Sequence, residues 1–87
     1  MKQKKIKIEN DSGLHARAAA KLVECASKFD SQIIISKNGQ EVDGKSIMGI
    51  LTLAVNKGSE IKIKIDGHDE QEAFENIKKL IKGKFAN

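Results

Sequence analysis

Residues 60–66 read Glu-Ile-Lys-Ile-Lys-Ile-Asp, three isoleucines alternating with charged residues without a break. A period of two suits a strand with one face buried and the other in water, and it suits no helix. A chain that contains such a strand must place further strands beside it and cover the isoleucine face with another layer. Lys5-Ile6-Lys7-Ile8 repeats the alternation near the start. Ile33-Ile34-Ile35-Ser36 is a β-branched run, Asn38-Gly39 is a hairpin turn signal, and Gln40 to Asp43 returns with Val42 as its one apolar member.

The covering layer is legible as helical spacing. After the turn-like Asn10-Asp11-Ser12-Gly13, apolar residues recur at Ala19, Leu22, Val23, Ala26 and Phe29, with Arg17, Lys21, Glu24 and Lys28 opposite. Ser46 has the chemistry to cap a short helix through Ile47-Met48-Gly49-Ile50-Leu51, which Lys57-Gly58-Ser59 ends. Asp69 with Glu72 reads as a capping-box-like start, and Ala73, Ile77, Leu80 and Ile81 form the stripe behind it. Lys78, Lys79 and Lys82 then sit where the helix dipole favours cations, and Gly83 is a C-terminal stop. The order is β-α-β-β-α-β-α, which predicts a two-layer α+β sandwich with helices on one face of an antiparallel sheet. With no linker or repeat along its 87 residues, the chain is read as one domain, 1–87.

Sixteen Lys and Arg against twelve Asp and Glu give a net charge of +4, which favours acidic or phosphorylated partners without naming one. Cys25 is the only cysteine, so neither an internal disulfide nor a Cys-based metal cluster can form; it reads as a small buried helix residue. No apolar run approaches the roughly 20 residues of a membrane span, and no signal-peptide core follows Met1-Lys2-Gln3-Lys4-Lys5. A soluble, cytoplasmic protein without membrane insertion is expected.

Gly39-Gln40-Glu41-Val42-Asp43-Gly44-Lys45-Ser46 fits the Walker A pattern at every fixed position. A P-loop, however, joins a strand to a helix through a loop whose N–H groups cradle phosphates. Here Gly39 belongs to a hairpin turn, the loop itself reads as a strand, and Glu41 and Asp43 would repel a triphosphate. Asp66 could pass for a Walker B acid, but Lys62 and Lys64 interrupt the apolar run before it. The match is read as accidental.

His15, in Gly13-Leu14-His15-Ala16-Arg17, stands where the turn meets the first helix. A helix start carries unpaired N–H groups and about half a positive charge, so it favours a neutral imidazole and stabilises a nearby anion. A neutral ring offers a nucleophilic nitrogen, and a phosphoryl group on it would meet the N–H groups of Ala16, Arg17 and Ala18 and the Arg17 guanidinium. A cap or a solvated surface histidine satisfies the same spacing.

Asp11-Ser12-Gly13-Leu14-His15-Ala16-Arg17 resembles the active-site signature of the histidine-containing phosphocarrier (HPr) family of the bacterial phosphotransferase system. Gly44-Lys45-Ser46-Ile47-Met48-Gly49 is similar to the family's second signature, at the matching distance. The resemblance implies an open-faced β-sandwich with strands ordered 1-4-2-3 and three helices on one face. It also implies that His15 receives phosphate on Nδ1 from phosphorylated enzyme I, itself charged by phosphoenolpyruvate, and passes it to a IIA component. Arg17 would steady the group. The family usually has proline after the arginine, where this chain has Ala18, a good helix former that restores an N–H. That departure points to altered start geometry, or to a branch serving nitrogen-related regulation instead of sugar transport.

By the same resemblance Ser46 is a target of HPr kinase/phosphorylase; as a helix cap it needs no such role. Ile47, Met48 and Leu51 are expected to contribute an apolar docking patch, Ile47 and Met48 foremost, with Lys21 and Lys28 steering acidic partners. His68, in Gly67-His68-Asp69, has no partner in view and is given no role. The chain is expected to act as a monomer, without cofactor or metal and without turnover of a small molecule of its own. β-α-β-β-α-β is also the ferredoxin-like order, which raises RNA or small-ligand binding as an alternative. Nucleic acid is disfavoured because the chain has no Trp or Tyr and its three Phe all fall on predicted helices. A purely regulatory protein governed by Ser46 phosphorylation is the other alternative.

Overall fold

The alternating segments become the four strands of one sheet, and the stripes become three helices. The computed structural model describes residues 1–86. In chain order these are β1 (Lys2–Lys7), α1 (Ala16–Ala26), β2 (Gln32–Lys37), β3 (Gln40–Asp43), α2 (Ile47–Thr52), β4 (Glu60–Asp66) and α3 (Glu70–Lys82). The strands lie in the order β1-β4-β2-β3, and every neighbouring pair is antiparallel.

Register puts the isoleucines together. In the central strand β4, Ile61 faces Ile6, Ile63 faces Ile35 and Ile65 faces Ile33. On this face they pack under Ala18, Ala19, Leu22 and Ala26 of α1, Ile50 of α2, and Ala73, Ile77 and Ile81 of α3. Each isoleucine so buried contributes about 1.5–3 kcal/mol. The other face is wet: Lys62 stands opposite Lys5, and Lys64 pairs with Glu41 at 3.0 Å. The open-faced α+β sandwich is therefore as expected.

Several boundaries differ from the sequence reading. β1 begins at Lys2, because Lys2 to Lys4 pair with Ile65 to Ile63 of β4. Ile8 lies past the strand end but stays buried, its N–H donating to Ser59 O at 2.8 Å. α1 stops at Ala26, so Lys28 and Phe29 fall outside it; a turn with the Phe29 N–H on Ala26 O still carries that ring into the core. Phe85 likewise lies beyond α3, leaving Phe74 as the one phenylalanine on a helix. Cys25 is half-buried instead of buried, and desolvation pushes its thiol above the usual range.

Asp69 stands at the N-cap of α3, but its side chain does not cap the helix. Its carboxylate accepts from the backbone N–H of Asp30 at 2.8 Å, from that of Ser31 at 3.0 Å, and from the Ser31 hydroxyl. The start of α3 is thereby tied to the loop before β2. These bonds, the Ser31 hydroxyl first, hold the Asp69 carboxyl down at about 2.

Candidate functional site

The loop before α1 is pinned from both sides. Gly13 adopts φ +61°, and the Leu14 N–H donates to Val55 O at 2.9 Å while the Leu14 side chain enters the core. Asn10 Nδ2 donates to Gly13 O at 2.6 Å. The next residue is therefore delivered to the helix start by these backbone and side-chain contacts together.

That residue, His15, is the N-cap itself, with extended backbone at φ −71° and ψ 177°. Its Nδ1 accepts the N–H of Arg17 at 3.2 Å, and its carbonyl accepts from the Ala19 N–H at 2.8 Å. An accepting Nδ1 places the ring proton on Nε2, so the lone pair points at the helix N-terminus. His15, Ala16 and Arg17 are exposed, whereas the Ala18 side chain is buried and leaves only its backbone for the helix mouth. A phosphoryl group on Nδ1 would replace the ring as the partner of the Arg17 N–H, in reach of first-turn donors that have no intrahelical acceptor.

Beside the ring lies a cavity of about 340 Å³ lined by His15, Arg17, Ala18, Lys21, Lys84, Phe85 and Ala86. Lys21 Nζ donates to Phe85 O at 2.8 Å, which binds the C-terminal turn to α1. Lys21 thus has a structural duty as well as a charge facing the site. Across the loop, Asp11 pairs with Lys57 at 2.9 Å, and that hydrogen bond lowers the Asp11 pKa. Residue spacing does not announce the C-terminal turn; the signal for it is Phe85, an apolar residue past the α3 stripe that is buried in the core.

Ser46 caps α2 as expected, its Oγ accepting from the Gly49 N–H at 3.1 Å. Gly49 lets α2 settle on β3, since a Cβ there would lie 3.2 Å from Val42 Cβ. Ile50 is fully buried, while Met48 is 72% and Ile47 40% exposed. Leu51 is half-buried against the core, so the exposed apolar pair is Ile47 and Met48.

His68 has a partner after all: its Nε2 lies 3.0 Å from Asp30 Oδ2. Together with the half-buried Asp69 these groups form a cluster at the loop before β2, in contact with the tie described above. The Gly39-to-Ser46 segment is a hairpin strand followed by a turn, and Ser36 to Lys37 pair with Glu41 to Gln40, which leaves no P-loop. Among the described residues no helix is long and apolar enough to cross a membrane.

Residues 2–83 match the family model described as PTS HPr component phosphorylation site. The phosphocarrier protein HPr of Cupriavidus necator is 48% identical over 85 residues, covering 98% of this chain and 96% of that protein. The crystal structure of a His-tagged HPr from Thermoanaerobacter tengcongensis superposes with a TM-score of 0.96 at 47% identity, covering 100% of this chain and 98% of that one. An HPr dimer from the same organism superposes at 0.80, covering both chains fully at 47% identity. The chain belongs to the HPr family of phosphocarrier proteins of the phosphotransferase system.

Proposed function

We propose that His15 is the phosphoryl acceptor of this carrier, taking the group from phosphorylated enzyme I and passing it to a IIA component. The observation that carries this reading is the exposed Nδ1 aimed at the Arg17 N–H at the mouth of α1. The Nδ1 lone pair forms the new N–P bond as the bond between phosphorus and the donor breaks, its electron pair leaving with the donor. The ring proton stays on Nε2. The resulting phosphoryl oxygens take the amides of Ala16, Arg17 and Ala18 and the Arg17 guanidinium as donors. Transfer to the acceptor reverses these steps, and no cofactor takes part.

Ile47 and Met48 supply the apolar docking contact, with Leu51 supporting them from below and Lys21 adding positive charge. The carrier works as one soluble cytoplasmic domain and as a monomer, although a relative from Thermoanaerobacter tengcongensis is known as a dimer.

Ser46 is the regulatory site, modified by HPr kinase/phosphorylase. Its Oγ already receives the Gly49 N–H, so a phosphate there meets a favourable helix start and leaves the fold intact. The new dianion beside Ile47 and Met48 repels acidic partners and slows transfer through His15. Sugar uptake is the process served, with nitrogen-related regulation the second reading because Ala18 replaces the proline usual in the family.

Incubation with phosphoenolpyruvate and enzyme I tests the carrier reading. Acid-labile label on the intact protein, lost in His15→Ala and kept in Ser46→Ala, is the expected result. An intact protein that takes no label from an enzyme I active on another carrier would sink it.

A further inference from the structure

The C-terminal turn is built at some conformational cost and ends beside the ring of His15. Gly83 closes α3 with its N–H on Lys79 O at 3.0 Å, and the next two residues, Lys84 and Phe85, both adopt left-handed backbone at φ 56° and 61°. L side chains rarely enter this region, and two in succession need surroundings that impose them. Here the Phe85 ring is buried in the core, its N–H donates to Leu80 O at 3.0 Å, and its carbonyl receives Lys21 Nζ. Phe85 is thus fastened on three sides, and Lys84 is forced outward onto the wall of the His15 cavity.

Among the described residues, those around that cavity include the cations Arg17, Lys21 and Lys84 and no carboxylate side chain. Lys21 is engaged with the Phe85 carbonyl, and Arg17 belongs to the first turn of α1. Lys84 lines the same cavity and is exposed. Its charge also reaches the loop before His15, where it is among the influences that lower Asp11. It also lines a second groove with Lys4, Lys5, Lys7, Lys78 and Lys82, where Glu9 is the one carboxylate among the described lining residues.

We propose that Lys84 is a positioning residue for the phosphoryl group on His15, its stem anchored by the left-handed turn at the cavity that His15 and Arg17 also line. This rests on the reading of His15 as phosphoryl acceptor. An ammonium on a flexible stem suits a phosphoryl oxygen as a point charge, where Arg17 supplies a directional fork. Together the two cations stabilise the fully ionised form of the phosphoryl group and strengthen the encounter with the phosphorylated donor.

The test uses the full chain phosphorylated by enzyme I, with the ³¹P resonance of the phosphohistidine followed against pH. Lys84→Gln raises the apparent pKa of the phosphoryl group by about 0.3–1 unit. It also raises KM for the phosphorylated donor about two- to fivefold with kcat little changed. Lys84→Arg restores both, and Lys84→Gly, which suits the backbone of this turn, reproduces the Gln result without strain. Normal ³¹P titration and normal KM in both Lys84→Gln and Lys84→Gly would overturn the role of Lys84 alone. Absence of phosphorylation in the unsubstituted chain would overturn the carrier reading and the role of Lys84 together.

Discussion

Gly13 lies so close to Val55 that a Cβ on it would stand 2.2 Å from the Val55 carbonyl oxygen. The same carbonyl accepts the Leu14 N–H, so the contact that excludes any side chain at position 13 also sets the path of the chain into His15. Gly13→Ala therefore combines a backbone clash with a forced φ of +61°. It is expected to cost at least about 2 kcal/mol in urea unfolding and to slow phosphorylation of whatever folded protein remains. A variant of full stability and unchanged rate would show that the loop can be redrawn without the contact.

Ser46→Ala removes the acceptor of the Gly49 N–H at the start of a helix of only six residues. Denaturant titration is expected to show a loss of about 0.5–2 kcal/mol, while phosphorylation at His15 continues. Ser46→Asp keeps a capping oxygen and adds a charge beside Ile47 and Met48. Near-normal stability with slower transfer from enzyme I is the expected pairing, and unchanged transfer would count against a switch at this position.

Met48 and Ile50 separate docking from folding, since two positions on one short helix have opposite surroundings. Met48 is 72% exposed and Ile50 fully buried. Met48→Asp is expected to leave the melting temperature nearly unchanged and to raise KM for enzyme I about fivefold or more. Ile50→Ala is expected to lose about 2–5 kcal/mol of stability. Should Met48→Asp bind its partners normally, the exposed pair is not the docking contact.

Asp69 gives the fold an acid-sensitive tie. Its carboxyl is held at about 2 against an ordinary 3.8, so the folded state prefers the ionised form. Stability from this tie is fully present above pH 3.8 and is lost as pH falls from there through about 2. Asp69→Asn is expected to melt lower than the unsubstituted protein at neutral pH, with the gap closing across that window. A gap that stays constant from neutral pH to about 2 would contradict the assignment.

Much of this architecture is local and could be read from residue spacing. The Ile61-Ile63-Ile65 alternation, the Asn38-Gly39 turn and the α3 stripe are determined by neighbours a few residues away, and Ser46 caps through a bond three residues on. His15 and Arg17 are also local, a cap and its second helical residue. What escaped reading joins distant parts of the chain: Asp69 to Asp30 and Ser31, His68 to Asp30, and Lys21 to Phe85. Asp69 followed by Glu72 has the composition of a capping box, yet the nearby backbone donors before β2 competed for the same carboxylate and won. The C-terminal turn likewise depends on Phe85 finding a place in the core, which no local pattern announces.

Phosphate is proposed to travel on Nδ1 of His15. Long-range ¹H–¹⁵N spectra of the protein with ¹⁵N-labelled histidine rings, recorded before and after phosphorylation by enzyme I, test it most directly. The Nδ1 resonance of His15 is expected to shift and couple to phosphorus while His68 is unmoved. Phosphorus on Nε2, on His68, or on no histidine in a labelled protein would contradict it.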